Sequence, residues 1–381
     1  MKPFQESVIV NRPQPRLLVR TANWIGDSVM TMPAVQRLHE LEPTAHIALL
    51  CPAKVQDLWR HNPFVSEVIP FDERAPIARL RSGRFDTALL FPNSFRSAWE
   101  CWRAGIPRRV GFAGHQRRWL LTDVVAERQA EQPISRTVTV AGRTFAVKHF
   151  PTIRHQVHRY LDLISYLGGN RDLVSPKIWL GPGDPPALTK FLHEGARPFI
   201  GIHAGAEYGP AKRWAPARFA EAARHIGAEY PCRWLVFGAA GEIETARTIE
   251  QLLRQSFPNE RDVINVAGQT TLLELCALIK FCRLLLTNDT GPMHLAYALG
   301  TPLVAIFGST SPELTGPLGP HCAVLREPVE CSPCFLRECP IDFRCMERIT
   351  VDQVVAAARQ QLAASPPAYH ATSAETPRRT P

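Results

Sequence analysis

The chain has 381 residues, of which 45% are hydrophobic, and this exceeds the roughly 250–300 residues that share one core, so two domains are expected. The net charge of +9 favours polyanionic partners: nucleic acid, an anionic membrane surface or a phosphorylated substrate. The sequence contains neither a run of about 18 uncharged apolar residues nor a signal-peptide core, which argues against a membrane-spanning or secreted protein and predicts a cytoplasmic one.

The N-terminal half alternates short apolar runs with helical patterns, beginning with RLLVR, then GDSVMTMPAVQRLHEL, then HIALLC. Strands that alternate with helices indicate βαβ units and a parallel sheet. We therefore predict a first Rossmann-like domain over residues 1–180. A polar stretch between about Ala126 and Phe150 interrupts the alternation, and a segment rich in Gly and Pro at 181–188 is predicted to be the linker.

The alternation restarts in the C-terminal half, with FIGIHAGA, RWLVFGA, RLLLTND and LVAIFG as predicted strands. This pattern predicts a second Rossmann-like domain at 189–349, a C-terminal helix at 350–364 and a disordered tail at 365–381. The expected fold class is α/β, with two doubly wound domains that face each other across a cleft. Ligands of such sheets bind outside the carboxyl ends of the strands, so the cleft is the expected site.

The first strand is followed by NWIGDSVM, in which Gly26 and Asp27 begin a helix. The loop lacks the second and third glycines of a dinucleotide fingerprint, which disfavours ordinary NAD binding. Asp27 is open to two interpretations, because an aspartate here can cap the helix or serve as a general base.

Two loops of the second domain carry candidate donor-binding residues. In HAGAEYGPAKRWAP, Lys212 and Arg213 could bind a diphosphate, or could form a solvated basic loop. The strand RWLVFGA ends at Gly238, and Glu242 or Glu244 beyond it could accept hydrogen bonds from a ribose or simply suit the start of a helix.

The stretch TNDTGPMHLAYALGTP predicts a strand end, a tight loop and a helix that ends at Gly300. The first turn of that helix is a natural anion site, although Asp289 or Thr290 could merely cap it. In the functional interpretation, Asp289 faces sugar hydroxyls, whereas Thr290 and Gly291 face a diphosphate. His294 could donate to a phosphate oxygen or pack in the core.

Nine of the ten cysteines divide into two groups, and the tenth, Cys322, lies just upstream of the second group. Five lie in apolar segments and are predicted to be structural: Cys51, Cys101, Cys232, Cys276 and Cys282. The segment CSPCFLRECPIDFRC contains Cys331, Cys334, Cys339 and Cys345, which could bind zinc or an iron–sulfur cluster. Their irregular spacing favours a compact thiol-rich loop instead.

Seven segments occur in order between about Arg16 and Met346: NWIGDSVM, FPNSFRSA, AGIPRRVGF, AKRWAP, TNDTGPMHLAYALGTP, FGSTSP and CSPCF. At these residues the sequence resembles the ADP-heptose:lipopolysaccharide heptosyltransferases of glycosyltransferase family 9. The resemblance implies a GT-B fold with an N-terminal acceptor domain and a C-terminal ADP-heptose domain. It also implies inverting transfer of L-glycero-D-manno-heptose to the first heptose of the lipopolysaccharide inner core, at the cytoplasmic face of the inner membrane.

The same resemblance assigns roles to residues. It implies that Asp27 is the catalytic base and that Lys212 binds the diphosphate. Because Lys212 and the helix amides would stabilise the charge of the leaving diphosphate, no catalytic metal or other cofactor is expected. The donor loop implied by the resemblance comprises Asp289, Thr290, Gly291 and His294. Because the acceptor is anionic, residues of the first domain are predicted to bind it, with a solvated basic surface as the alternative: Asn93, Ser94, Arg96, Arg108 and Arg109.

Other functions stay open on the sequence alone. Heptosyltransferase I or III, or an epimerase acting on a UDP-sugar, would use the same fold. A basic nucleic-acid-binding protein is the non-enzyme alternative, although the arginines lack the regular aromatic interleaving of a stacking platform.

Overall fold

The computed structural model describes residues 14–114, 116–127, 133–181, 190–191 and 197–364. The chain divides into two compact units. Of the described residues, those within 1–131 and 154–176 form the first unit, and those within 132–153 and 177–381 form the second.

The first unit is built on a six-stranded parallel sheet in the order β3-β2-β1-β4-β5-β6. Its strands are Arg16–Arg20 (β1), His46–Pro52 (β2), Glu67–Phe71 (β3), Thr87–Leu90 (β4), Arg108–Phe112 (β5) and Asp123–Val125 (β6). Its helices are Ile25–Leu41, Ile77–Ser82, Phe95–Arg103 and Val157–Tyr166, with 3-10 turns at Ala53–Leu58 and Arg118–Leu120. The central strands are almost wholly buried apolar runs, as expected for a parallel sheet covered on both faces.

The second unit repeats the same strand order, as β11-β10-β9-β12-β13-β14. Its sheet strands are Phe199–His203 (β9), Arg233–Phe237 (β10), Val263–Asn265 (β11), Leu284–Asn288 (β12), Leu303–Phe307 (β13) and Cys322–Arg326 (β14). Its helices are Pro216–Glu229, Ile243–Ser256, Leu272–Phe281, Gly291–Leu299, Pro312–Thr315, Arg344–Glu347 and Val351–Ala364, with 3-10 turns at Pro210–Lys212, Ala240–Glu242 and Glu260–Asp262.

An antiparallel hairpin, Ile134–Val140 (β7) and Arg143–His149 (β8), also belongs to the second unit. Its buried residues Val138, Val140 and Val147 join the core of that unit. The Lys148 N–H donates to the Cys334 carbonyl at 3.3 Å. Residues 132–153 are therefore placed with the second unit, whereas the sequence analysis placed them in the first domain.

The predicted fold class is confirmed, because both halves are doubly wound parallel sheets. The C-terminal helix is Val351–Ala364, and its apolar face joins the second core. The predicted tail, and the linker beyond residue 181, lie outside the described residues. None of the helices in the described ranges is long and apolar enough to cross a membrane.

Candidate active site

In both sheets the strand order reverses next to the first strand, between β1 and β4 and between β9 and β12. The crevice at such a reversal is where doubly wound folds bind ligands. The loop after β1 leads to Asp27 and the loop after β4 contains Asn93, while the loop after β9 leads to Lys212 and the loop after β12 begins at Asp289. The structure thus places each of these candidates at the reversal point of its own sheet.

Asp27 is the third residue of the helix Ile25–Leu41 and is half-buried. The Gln156 side-chain amide donates to Asp27 Oδ1 at 3.0 Å and to the Tyr160 hydroxyl oxygen at 2.8 Å. Burial, together with the nearby Asp27 carboxylate, raises the pKa of Tyr160 well above its usual value, so this phenol stays protonated. The sequence analysis missed Gln156 because it lies 129 residues from Asp27 along the chain.

Asn93 lies in a polar cluster beyond the end of β4. Its amide nitrogen donates to Glu127 Oε1 at 2.8 Å, and Arg159 forms an ion pair with the same oxygen. The buried Arg117 guanidinium donates to Asn93 Oδ1 at 3.2 Å. Burial lowers the pKa of Arg117 to about 10, which still leaves it charged at neutral pH. The cluster offers polar groups of both signs at the crevice of the first sheet.

Ser94 and Arg96 flank Asn93. The Ser94 hydroxyl is the N-cap of the helix Phe95–Arg103 and accepts from the Ser97 N–H at 3.3 Å. Arg96 is largely exposed, and its Nε donates to Glu100 Oε1 at 2.9 Å. Ser94 therefore has a structural role in addition to any contact with ligand, whereas Arg96 has donors available to solvent.

Arg108 and Arg109 lie elsewhere, because they begin β5 and so stand at the amino edge of the sheet. Arg108 pairs with Asp123 at 3.1 Å. Arg109 donates to the carbonyls of Leu120 at 2.7 Å and Pro107 at 3.1 Å. The structure does not bring these two arginines together with Asn93 and Arg96, and their internal bonds favour a structural role.

In the second unit, Lys212 Nζ lies 2.5 Å from Asp289 Oδ2, and the Thr310 hydroxyl donates to the same oxygen at 2.6 Å. The side chains of Lys212 and Asp289 are only 14% and 4% exposed. Arg213, the next residue, donates to the Ala206 carbonyl at 3.3 Å. Lys212 and Asp289 therefore form a buried ion pair at the carboxyl edge of the second sheet.

His203 connects two other predicted residues. It ends β9, and its Nε2 lies 3.2 Å from Glu242 Oε2 while its Nδ1 lies 3.3 Å from the Thr290 hydroxyl. Burial opposes ionisation of Glu242, but hydrogen bonds with His203 and from the Ala239 N–H lower its pKa to about 2. His203 was missed by the sequence analysis; a polar residue at the carboxyl end of a buried strand was the available signal.

The absence of a side chain at Gly205 allows this close packing. A Cβ added at Gly205 would lie 2.1 Å from Glu242 Oε1, so only glycine lets the loop after β9 approach the carboxylate. Gly238, at the end of β10, is less crowded, with Ala267 Cβ 3.1 Å from an added Cβ.

The loop after β12 does more than cap the helix that follows it. Asn288 accepts from the Trp214 N–H at 3.1 Å and donates to the Ala204 carbonyl at 2.8 Å, which ties the two loops together. Thr290 is the N-cap residue by position, yet its side chain makes no capping bond to the helix. The first turn, from Gly291, therefore keeps amide groups that an anion can accept from.

His294 lies in that helix and is 4% exposed, with its ring 5.8 Å from that of Tyr297. This burial favours the packing interpretation over direct donation to a phosphate. At the other end, Gly300 adopts a left-handed φ of 77° and forms the predicted C-cap.

The five cysteines predicted to be structural are all buried and free, which confirms that prediction. The thiol-rich segment is also compact, and its four thiols line one pocket: Cys331, Cys334, Cys339 and Cys345. Burial and the neighbouring thiols raise the pKa of Cys345 to about 12. Among the described residues, no group of three or more His, Cys, Asp or Glu side chains is arranged to hold a metal ion.

Two doubly wound units with polar loops at their reversal points are the architecture of the GT-B fold. Residues 74–343 match glycosyltransferase family 9 (heptosyltransferase). The chain belongs to this family.

Within this family, the chain is similar to proteins named heptosyltransferase 2 or II. The chain is 33% identical to lipopolysaccharide heptosyltransferase 2 of Escherichia coli strain K12, over 82% of this chain and 88% of the relative. It is 32% identical to the Salmonella typhimurium strain LT2 protein of the same name, with the same coverage. The solved structure of the Escherichia coli ADP-heptose lipopolysaccharide heptosyltransferase II superimposes with a TM-score of 0.75 at 30% identity, covering 91% of this chain and 98% of that one.

Membership in an enzyme family decides between the two classes considered from the sequence. The chain is a glycosyltransferase, so the non-enzyme alternative of a basic nucleic-acid-binding protein is wrong.

Proposed function

We propose that this chain transfers L-glycero-D-manno-heptose from ADP-heptose to the first heptose of the lipopolysaccharide inner core. The observation that carries the proposal is the buried Lys212–Asp289 pair beside the uncapped first turn of the helix from Gly291. A lysine and free amide groups bind a diphosphate, and the named relatives are heptosyltransferases.

On the donor side, Lys212 and the helix amides would stabilise the negative charge that grows on ADP as it leaves. Asp289 would keep the ammonium in place until the diphosphate arrives and then accept a hydrogen bond from the heptose. The network of Glu242, His203 and Thr290 would fix the surrounding loops. Because these groups supply the positive charge, the proposed reaction needs no metal, and we expect turnover to persist in EDTA.

On the acceptor side, Asp27 would act as the general base in a single displacement with inversion. Its carboxylate takes the proton of the acceptor hydroxyl, the hydroxyl oxygen bonds to the anomeric carbon, and the bond from that carbon to the ADP oxygen breaks. Gln156 donates to Asp27 Oδ1 and would hold the carboxylate in the orientation that a general base needs. Asn93 and Arg96 would contact the anionic groups of the acceptor.

The site of action follows from the acceptor. A glycolipid that carries the inner core is anchored in a bilayer, so we propose that the enzyme works at the cytoplasmic face of the inner membrane.

The test is mass spectrometry of glycolipid after incubation with ADP-heptose and core acceptors that bear zero or one heptose. We expect one heptose to be added only to the one-heptose acceptor. Addition only to the heptose-free acceptor would instead indicate heptosyltransferase I. Addition to neither would contradict the proposal, and competition by ADP against UDP would then show whether the donor is a UDP-sugar.

A further inference from the structure

Three large aromatic side chains lie together on the surface of the first unit: Phe95, Trp102 and Trp119. They are 42%, 48% and 65% exposed. The ring of Trp119 lies 6.0 Å from that of Phe95 and 6.3 Å from that of Trp102, so the three form one cluster. A contiguous exposed apolar patch of this kind marks a surface that binds another apolar surface.

The cluster is presented by regular structure. Phe95 and Trp102 are seven residues apart in the helix Phe95–Arg103, which places them on one face. Trp119 lies in the 3-10 turn Arg118–Leu120.

Buried hydrogen bonds hold that turn against the helix. Arg117, with no exposed surface, donates to the carbonyls of Phe112 at 2.9 Å and Ser94 at 3.1 Å, and to the Ser97 hydroxyl at 2.9 Å. These hydrogen bonds fix Trp119 beside Phe95 and Trp102, so the aromatic cluster stays exposed to solvent.

The surroundings of the cluster are positively charged. Three exposed arginines adjoin members of the cluster in the sequence: Arg96 follows Phe95, Arg103 follows Trp102 and Arg118 precedes Trp119. The one carboxylate of the helix, Glu100, is 2% exposed and is bonded to Arg96 and Arg20. Within the part of the chain that is described, Arg103 and Arg118 form no ion pair; Arg103 instead lies over the Trp99 ring at 5.1 Å.

We propose that this patch, comprising Phe95, Trp102, Trp119, Arg103 and Arg118, docks the protein on an anionic phospholipid bilayer. Tryptophan side chains favour the membrane interface, and arginines near the surface are attracted to anionic headgroups. This inference rests on the proposed function, because an enzyme with a lipid-anchored acceptor has to work at a membrane surface.

The ring geometry disfavours single-stranded nucleic acid as the partner of this patch. The Trp119 ring is tilted by 54° to Phe95 and by 71° to Trp102, so the cluster offers no flat platform for successive bases. A membrane interface, by contrast, accepts rings in varied orientations.

The experiment is co-sedimentation of the full chain with vesicles of phosphatidylcholine that contain about one-third phosphatidylglycerol, free of any acceptor. We expect Trp102→Ser with Trp119→Ser to weaken binding at least roughly tenfold. We expect Arg103→Gln with Arg118→Gln to weaken it roughly tenfold or more on anionic vesicles, and to change little on pure phosphatidylcholine.

Matched controls use exposed residues outside the patch. Ile134→Ser with Leu173→Ser removes exposed apolar surface, and Arg171→Gln with Arg224→Gln removes the same charge. Neither control pair should alter binding by more than about twofold, which is ordinary variation for surface changes. Equal losses in the control and patch variants would overturn the proposal, since net composition would then explain the binding.

Three other outcomes would also overturn it: no vesicle binding by the unmodified chain, binding only when the glycolipid acceptor is present, or tighter binding to single-stranded oligonucleotides than to vesicles. A parallel assay with an acyl-free inner-core acceptor separates this proposal from the proposed function. There, the patch variants should retain unmodified turnover. If the unmodified chain shows no turnover in this assay, heptose transfer is contradicted, whereas the co-sedimentation result still tests membrane docking.

Discussion

In the second unit the charged groups at the reversal point are buried and bonded to one another, as in the Lys212–Asp289 pair and the contact of Glu242 with His203. In the first unit, Asp27 is half-buried with a bond from Gln156, and Arg96 is largely exposed. One strand order therefore supports two kinds of site. A small donor with a fixed diphosphate suits a preformed buried site, whereas a bulky glycolipid suits an open one.

The largest expected effect tests the first unit. Asp27→Asn should lower turnover by about 10²–10⁴, because the amide cannot accept the proton of the acceptor hydroxyl. ADP affinity, measured by calorimetry, should stay unchanged because the donor groups lie in the second unit. Asp57→Asn, a carboxylate paired with Arg60 away from the reversal point, is the control. Turnover near that of the unmodified chain would remove Asp27 from the role of base.

The second prediction tests the buried donor site. Lys212→Gln should lower turnover by about 10²–10³ and also weaken ADP binding, since it removes a positive charge from the diphosphate site. Lys190→Gln, at an exposed lysine, should leave both quantities unchanged.

A double variant separates charge loss from misfolding. Lys212→Gln leaves the Asp289 carboxylate buried without its ion pair, so Lys212→Gln with Asp289→Asn should recover thermal stability without recovering turnover. If turnover recovered together with stability, the role of Lys212 would be structural.

The third prediction concerns pH. The pKa of Glu242 is lowered to about 2 in the folded chain. Its ionised carboxylate therefore adds to the free energy of unfolding at pH values above its pKa in the unfolded chain, and this contribution is lost as the pH falls toward 2. That contribution is at most about 3 kcal/mol. In urea titrations from pH 6 to 3, Glu242→Gln should lose less stability on acidification than the unmodified chain.

The exposed Glu244→Gln serves as the control for that titration, and it should follow the unmodified chain at every pH. Parallel curves for Glu242→Gln and the unmodified chain would show that the Glu242 carboxylate does not stabilise the donor loops.

The smallest effect tests how tightly the buried site is packed. Gly205→Ala should destabilise the fold by about 1–3 kcal/mol, because its methyl group displaces a Glu242 carboxylate already bonded to His203 and Ala239. Gly241→Ala has open space around its added Cβ and should change stability by less than about 0.5 kcal/mol. Similar melting temperatures for the two variants would mean that the loop after β9 shifts at little energetic cost to make room for the added methyl group.

Much of the fold could be predicted because buried parallel strands are continuous apolar runs and the helices between them begin at recognisable loops. The hairpin was missed because it contributes three buried valines and the partly buried Phe145 to a core whose other residues are far away in the sequence. Its period-2 pattern lies within a polar stretch that reads as an insertion.

The positions of Asp27, Lys212 and Asp289 beyond the ends of strands could be predicted because a motif coincides with each strand end, and their roles stay a prediction. Gln156 could not be identified in this way, since its contact with Asp27 is fixed only by the tertiary fold. His203 does end a strand, but its contact with Glu242 also depends on the tertiary fold. Arg108 and Arg109 show the reverse case. Their residue type suggested anion binding, but the strand direction puts them at the opposite edge of the sheet.

The hairpin also constrains how the chain is made. Its strands, Ile134–Val140 and Arg143–His149, leave the ribosome roughly 180 residues before Cys334, which its backbone contacts. At about 5–20 residues per second, the hairpin waits roughly 10–40 s for that partner, with its valines exposed. A fragment truncated near residue 180 would carry this hairpin without its core, and we expect such a fragment to aggregate unless residues 132–153 are replaced by a short polar loop.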